Sequence, residues 1–189
     1  MADSAARITG VQLRRAQLAD AGEVAKLHIA SWRVAYSAEL PADYLASLDE
    51  ASRAEQWVAR MSRPTTEVLL AEDGLDLLGF CAHGPVLNAD EDLTSAWEIY
   101  SLHVGPRLRG GGIGTILFQE GLNGARRARA RYLALWVVAT NAPARRFYEG
   151  KGMQSDGAQK DRELAPGIIL HEVRYRLSLA SPAADRRAR

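Results

Sequence analysis

The spacing most specific for chemistry is Arg-x-x-Gly-x-Gly, carried by Arg109, Gly112 and Gly114. It follows an apolar, β-rich run from Trp97 to Val104 and a short basic turn through Arg107, and a helix-forming stretch begins at Ile113. A strand that ends in a glycine turn opening a helix is a device for holding phosphate. The first turn of a helix presents N–H groups without intrahelical partners and the positive end of the dipole. Glycines let the backbone approach an anion where a Cβ would collide. Spacing excludes two common phosphate devices. The dinucleotide fingerprint counted from Gly110 reaches Gly112 and then meets Thr115 where it needs glycine, and no Gly-Lys-Ser/Thr of a P-loop occurs. Taken alone, the pattern also reads as a flexible glycine turn with a solvated arginine.

Other reactive side chains are sparse. The four histidines (His28, His83, His103, His171) are scattered without ligand spacing, so no metal is expected. One cysteine, Cys81, excludes an internal disulfide framework and fits a reducing compartment. A formal charge of +1 gives no reason to expect nucleic acid or an anionic membrane as partner. The N-terminus lacks the apolar core of a signal peptide. The longest apolar run, Tyr132 to Ala139, is far short of the ~20 residues that span a bilayer. A cytoplasmic location is expected.

The elements that must position these residues can be read in order. At 189 residues, one domain over about 11–177 is expected, with disordered tails at 1–10 and 180–189. A short alternating strand at Val11–Arg14 precedes a helix whose Asp20 and Glu23 read as a capping box and which runs to Tyr36. A turn of helix starts at Pro41. Asp49 caps the next helix, with Ala54, Trp57, Val58 and Met61 on one stripe. Strands at Glu67–Glu72 and Leu77–His83 form a hairpin through Asp73 and Gly74. A polar loop from Asn88 to Thr94 leads to a strand at 96–104, and a helix from Gly112 to about Ala130 carries Ile113, Ile116, Leu117 and Leu122. Tyr132 to Ala139 is apolar on both faces, as a central strand requires. Asn141 caps a last helix closed by Gly150 and Gly152, on which Phe147 reads as core. Two strands at about 153–158 and 168–177 finish a mixed α/β layer with helices on both faces.

The glycine signature resembles the pyrophosphate-binding motif of the GNAT acyltransferase superfamily. A second match lies downstream in Asn141, Ala144, Phe147, Tyr148 and Gly152, where Met153 replaces the family's usual phenylalanine. The resemblance spans roughly residues 11–177. It implies the GNAT fold: a mixed, mostly antiparallel sheet of six or seven strands, helices on both faces, and a splayed pair of central strands. It implies acetyl-coenzyme A as cofactor, its pantetheine arm pairing with Leu102, His103 and Val104 and its pyrophosphate on the amides of Arg109, Gly110, Gly111, Gly112, Ile113, Gly114 and Thr115. Asn141, Ala144 and Phe147 would line the coenzyme. Arg145, Arg146 and Lys151 read better as a solvated helix face than as partners of its 3′-phosphate.

The implied reaction is N-acetylation of a primary amine, on a small molecule or a protein N-terminus, by direct attack in a ternary complex. Glu98, six residues before Val104, is the expected general base, with His103 and His83 as rivals because histidine titrates near neutrality. Tyr148 is the expected general acid for the leaving thiolate. Trp32 and Tyr36 are expected to bind the acceptor together with Glu98, and as readily to be core at their helical spacing; Arg33, Tyr44 and a terminal loop at 159–167 wall the same region. The acidic residues Asp90, Glu91 and Asp92 read as a solvated loop. Relatives admit a homodimer. The competing reading is a non-catalytic acyl-coenzyme A-binding regulatory module.

Overall fold

The computed structural model describes residues 10–87, 93 and 95–179. The lead up to residue 9, the tail from residue 180 and the acidic Asp90, Glu91 and Asp92 lie outside the described residues. Seven strands are β1 Gln12–Arg15, β2 Glu67–Asp73, β3 Asp76–Pro85, β4 Ala96–Val104, β5 Tyr132–Val138, β6 Gln154–Ala165 and β7 Ile168–Ser178. They form one sheet in the order β1-β2-β3-β4-β5-β7-β6. The β1–β2, β2–β3, β5–β7 and β6–β7 ladders are antiparallel, and β4–β5 is parallel. Five helices are α1 Ala21–Ala35, α2 Ala42–Ala46, α3 Glu50–Met61, α4 Ile113–Arg127 and α5 Ala142–Glu149. This is the mixed, mostly antiparallel α/β arrangement that the element order implies. The chain forms two compact units, Met1–His83 with Tyr100–Gly121, and Gly84–Ile99 with Leu122–Arg189.

In the first unit, Ala21, Val24, Ala25 and Leu27 of α1 and Trp57 of α3 close over Val68, Leu70, Phe80 and Ala82 of β2 and β3. Burying each large apolar side chain contributes about 1.5–3 kcal/mol, so Trp57 and Phe80, both fully buried, anchor this layer. Successive strand residues point to opposite faces. A Cβ on Gly79, next to Phe80, would lie 2.7 Å from the His103 carbonyl oxygen and 3.0 Å from Leu117 Cδ1 of α4. Glycine is what lets β3 come this close, and helices cover both faces here. Two expected core positions, Val58 and Ile116, are 40% and 39% exposed; each sits at the rim of its helical stripe.

The N-terminal cap differs from the sequence expectation. Asp20 makes no side-chain cap to α1. It accepts from the Gln17 N–H at 2.7 Å, closing a 3₁₀ turn over Leu18–Asp20, and from both Arg14 Nη atoms at 2.7 and 2.8 Å. A bidentate guanidinium is roughly twice as strong a partner as a neutral amide, so Arg14 draws the carboxylate away from the helix. It also holds the Asp20 carboxyl below its usual range. Asp49 does cap α3, its Oδ1 accepting from the Ser52 N–H at 2.7 Å.

In the second unit, β5 lies between β4 and β7, with Tyr132–Val138 paired against Val138's partner Glu172 through to Ser178. β6 is longer than the sequence suggests: the expected loop at 159–167 is mostly the outer half of that strand, and only Pro166 and Gly167 turn the chain into β7. The polar run extends as a strand because Lys160 and Arg162 find Glu172 across the ladder. On α5, Asn141 Oδ1 accepts from the Ala144 N–H at 3.1 Å, the expected cap. The buried ring of α5 is Tyr148, 8% exposed, whereas Phe147 is half-buried under the Lys151 ammonium at 5.2 Å. Among the described residues, no helix is long and apolar enough to cross a membrane.

Candidate active site

The glycine turn lies in the first unit. β4 is registered with β5 from Ala96–Tyr132 to Ile99–Leu135, and it runs on through Tyr100–Val104. Its end is pinned by the Gly105 N–H donating to the Leu78 carbonyl at 2.8 Å. A 3₁₀ turn at Pro106–Leu108 delivers the chain to Arg109, and α4 starts four residues later. Gly110 and Gly112 adopt φ of +83° and +93°, the left-handed region that L side chains avoid. A Cβ on either would meet nothing within 4 Å, so the backbone demands glycine here and the turn is open. The first amide to join the helical ladder is Thr115, donating to the Gly112 carbonyl at 2.9 Å. The N–H groups of Ile113 and Gly114 precede that ladder, at the positive end of a fifteen-residue helix. This open turn fits a diphosphate. Arg109 is exposed beside it, its Nη2 at a long 3.5 Å from the Ser31 carbonyl.

Behind the end of β4 is a polar network that the sequence did not suggest. Ser31 Oγ lies 2.7 Å from His103 Nδ1 and 2.8 Å from the His28 carbonyl. A carbonyl only accepts, so the serine hydroxyl donates to it, and His103 Nδ1 carries the proton shared with Ser31. The Trp57 indole N–H, a donor only, donates to His28 Nδ1 at 3.2 Å. The His28 and His103 rings stack at 4.5 Å, tilted by 46°. Trp32 is buried with its edge to His28 at 5.4 Å, and Arg53 lies 5.2 Å over its ring. Tyr36 is half-buried, edge-on to Trp32 at 5.1 Å. His83 is fully buried in β3. The signal for this network was the helical interval from His28 to Ser31 and Trp32 on the buried side of α1; its partner strand cannot be told from spacing.

The second unit holds the remaining candidates. Glu98 is half-buried on β4. Burial pushes its carboxyl above the usual range; Lys160 and the Leu87 backbone amide pull it back, and Glu172 adds to the rise. Around it stand groups that sequence reasoning missed. Trp136 on β5 carries the Lys160 ammonium 4.2 Å from its ring centre and the Arg174 guanidinium at 5.6 Å. The buried Glu172 accepts from Arg162 at 3.0 and 2.8 Å. The alternation of Glu172, Arg174 and Arg176 along one strand was the available signal. Tyr148 and Asn141 lie on α5, with Ala144 between them in sequence. Arg145, expected on a solvated face, instead ties the fold together: its Nε donates to the Tyr175 hydroxyl at 3.1 Å and its Nη1 to the Ala139 carbonyl at 2.9 Å.

An open, glycine-built turn at the start of a helix on a mixed α/β sheet is a place for a phosphate-bearing ligand. Comparison with known proteins agrees. Residues 25–153 match the family model described as acetyltransferase (GNAT) family. An uncharacterized N-acetyltransferase, YuaI of Bacillus subtilis (strain 168), is 29% identical over 164 residues, covering 86% of this chain and 90% of the relative. Among solved structures, the PaiA N-acetyltransferase from Thermoplasma acidophilum in complex with coenzyme A superposes with a TM-score of 0.72 at 16% identity, over 90% of this chain and 99% of that one. YncA from Salmonella typhimurium with its cofactor acetyl-CoA gives 0.67 at 21% identity, over 92% and 96%. These two likenesses show the fold. The chain belongs to the acetyltransferase (GNAT) family and is an enzyme of that class.

Proposed function

We propose that the chain transfers the acetyl group of acetyl-coenzyme A to a primary amine, of a small molecule or of a protein N-terminus, by direct attack within a ternary complex. The observation that carries this reading is the open pair of left-handed glycines, Gly110 and Gly112, ahead of α4. When bound, the cofactor supplies the thioester that is cleaved. The amides from Arg109 to Thr115 hold its diphosphate, those of Ile113 and Gly114 foremost. The main chain of Leu102, His103 and Val104 pairs with the pantetheine arm as an added strand would, and Asn141, Ala144 and Phe147 contact the arm from α5.

A lysine-like amine has a pKa near 10.4, so holding it neutral at pH 7 costs about 4.6 kcal/mol. Glu98 takes up that proton. A carboxyl raised by burial is a stronger base than an exposed one. His103 remains a rival, with its Nδ1 taken by Ser31, whereas His83 is a weaker candidate because it is sealed in the core. Tyr148 protonates the leaving thiolate, whose pKa of about 8.5 asks for modest help. Tyr36 borders the acceptor, and the buried Trp32 backs its ring edge-on at 5.1 Å. A single cysteine, Cys81, fits a reducing compartment, and this reading puts the enzyme in the cytoplasm.

The test is thiol release from acetyl-coenzyme A with a panel of amines: amino acids, polyamines, aminoglycosides and ribosomal N-terminal peptides. Release that requires both the chain and an amine is expected. Heat stabilisation by acetyl-coenzyme A without amine-dependent thiol would refute the transferase and leave a binding module.

A further inference from the structure

The register of the second unit places an unassigned cation beside the proposed base. Glu98 pairs with Ala134, and along β5 the same face returns at Trp136 and Val138, which pair with Arg174 and Glu172. Glu172 in turn pairs with Lys160 on β6. Paired residues share a face and alternate residues return to it, so Glu98, Trp136, Glu172 and Lys160 occupy one face of the sheet. Oε1 of Glu172 accepts from both Nη2 and Nε of Arg162, at 2.8 and 3.0 Å. Lys160 is the second and looser cation there. Its Nζ lies 3.6 Å from Oε2, its side chain is 43% exposed, and Glu172 is its ion-pair partner among the described residues. The chain of Lys160 reaches from β6 past β7 to stand over Trp136 on β5, the strand next to Glu98. One strand spacing of ~5 Å and two residues of ~7 Å separate the Trp136 and Glu98 backbone positions.

We infer that Lys160, held over Trp136, selects acceptors bearing a carboxylate a few bonds from the reacting amine, as in an amino acid, while Glu98 receives the amine. Both signs of charge then act on the acceptor. Glu98 attracts the ammonium end, and Lys160 attracts the carboxylate end and repels a second ammonium, so a diamine is rejected as well as an amino acid retained. Lys160 can serve because it meets Oε2 of Glu172 only at 3.6 Å, beyond hydrogen-bond distance, so its ammonium keeps donors for an incoming carboxylate. This inference rests on the transferase reading with Glu98 as base.

The experiment compares amino acids with their carboxamides, and with a diamine, for wild-type, Lys160→Met, Lys160→Glu and Lys160→Arg chains. The readout is the change between chains in the ratio of kcat/KM for acid over amide, so differences in intrinsic amine reactivity cancel. Lys160→Met is expected to lower that ratio by ~10- to 100-fold, the scale of one hydrogen bond to a charged group, mostly through KM. Lys160→Glu should lower it further and improve the diamine, and Lys160→Arg should restore most of it. An unchanged ratio in Lys160→Met, or a wild-type preference for the diamine, overturns the assignment of Lys160 while the transferase stands. No amine-dependent thiol in wild type overturns the transferase. In that event calorimetric titration of the acid and amide pair onto the coenzyme A-loaded chain still decides Lys160, which is refuted if both bind alike.

Discussion

At Glu98 the proposed chemistry and the stability of the fold pull against each other. Its pKa in the fold lies above the unfolded value, chiefly through burial. An acid shifted this way contributes stability that is fully present below its unfolded pKa and is lost as pH rises through the folded one. At neutral pH its ionised form is therefore a net cost to the fold. Glu98→Gln should raise the melting temperature at pH 7, with the gain fading at acid pH where both side chains are neutral; thermal scans across pH read this directly. The same substitution should lower kcat by ~10²–10⁴, and the acid limb of the wild-type rate profile should fall above the ordinary carboxylate range. Tyr148→Phe should slow kcat and leave acetyl-coenzyme A binding intact, as steady-state kinetics and titration would show. Ser31→Ala strips His103 of its Nδ1 partner, and a loss of ~1–2 kcal/mol in urea unfolding is expected.

At the scale of elements, two glycines do different work and should fail differently. Gly112 needs its φ of +93° and has open space where a Cβ would go. Gly112→Ala should cost ~1–2 kcal/mol of backbone strain and raise the KM for acetyl-coenzyme A, because the turn leaves the conformation that opens α4. Gly79→Ala should cost ~1–3 kcal/mol, since its Cβ would sit 2.7 Å from a backbone oxygen of β4 and neither strand can give way cheaply. Chemical denaturation separates the two from their effects on KM. Apolar periodicity disclosed α1, α3 and β5, because each buries one continuous stripe or both faces. It missed the outer half of β6, whose strand state comes from ion pairs to β7 rather than from alternating apolar residues. The Asp20 cap misled for a related reason: Arg14, six residues away, competes for the same carboxylate, and propensity does not see such partners.

For the whole molecule, the glycine turn and the α5 motif were readable because backbone constraints leave marks in residue type at short range. The groups around Glu98 were not, because β6 and β7 bring Lys160 and Glu172 to it only after the sheet is assembled. Burial of Trp32 and the His28–His103 stack follow the same rule: each depends on a partner from another element. The most direct test of acetyl transfer with Glu98 as base is thiol release from acetyl-coenzyme A by the wild-type and Glu98→Gln chains, at saturating amine across pH. Amine-dependent release by wild type, falling ~10²-fold or more in Glu98→Gln with acetyl-coenzyme A affinity unchanged, is the result expected. Equal rates for the two chains, or wild-type release no faster than in buffer, would contradict it.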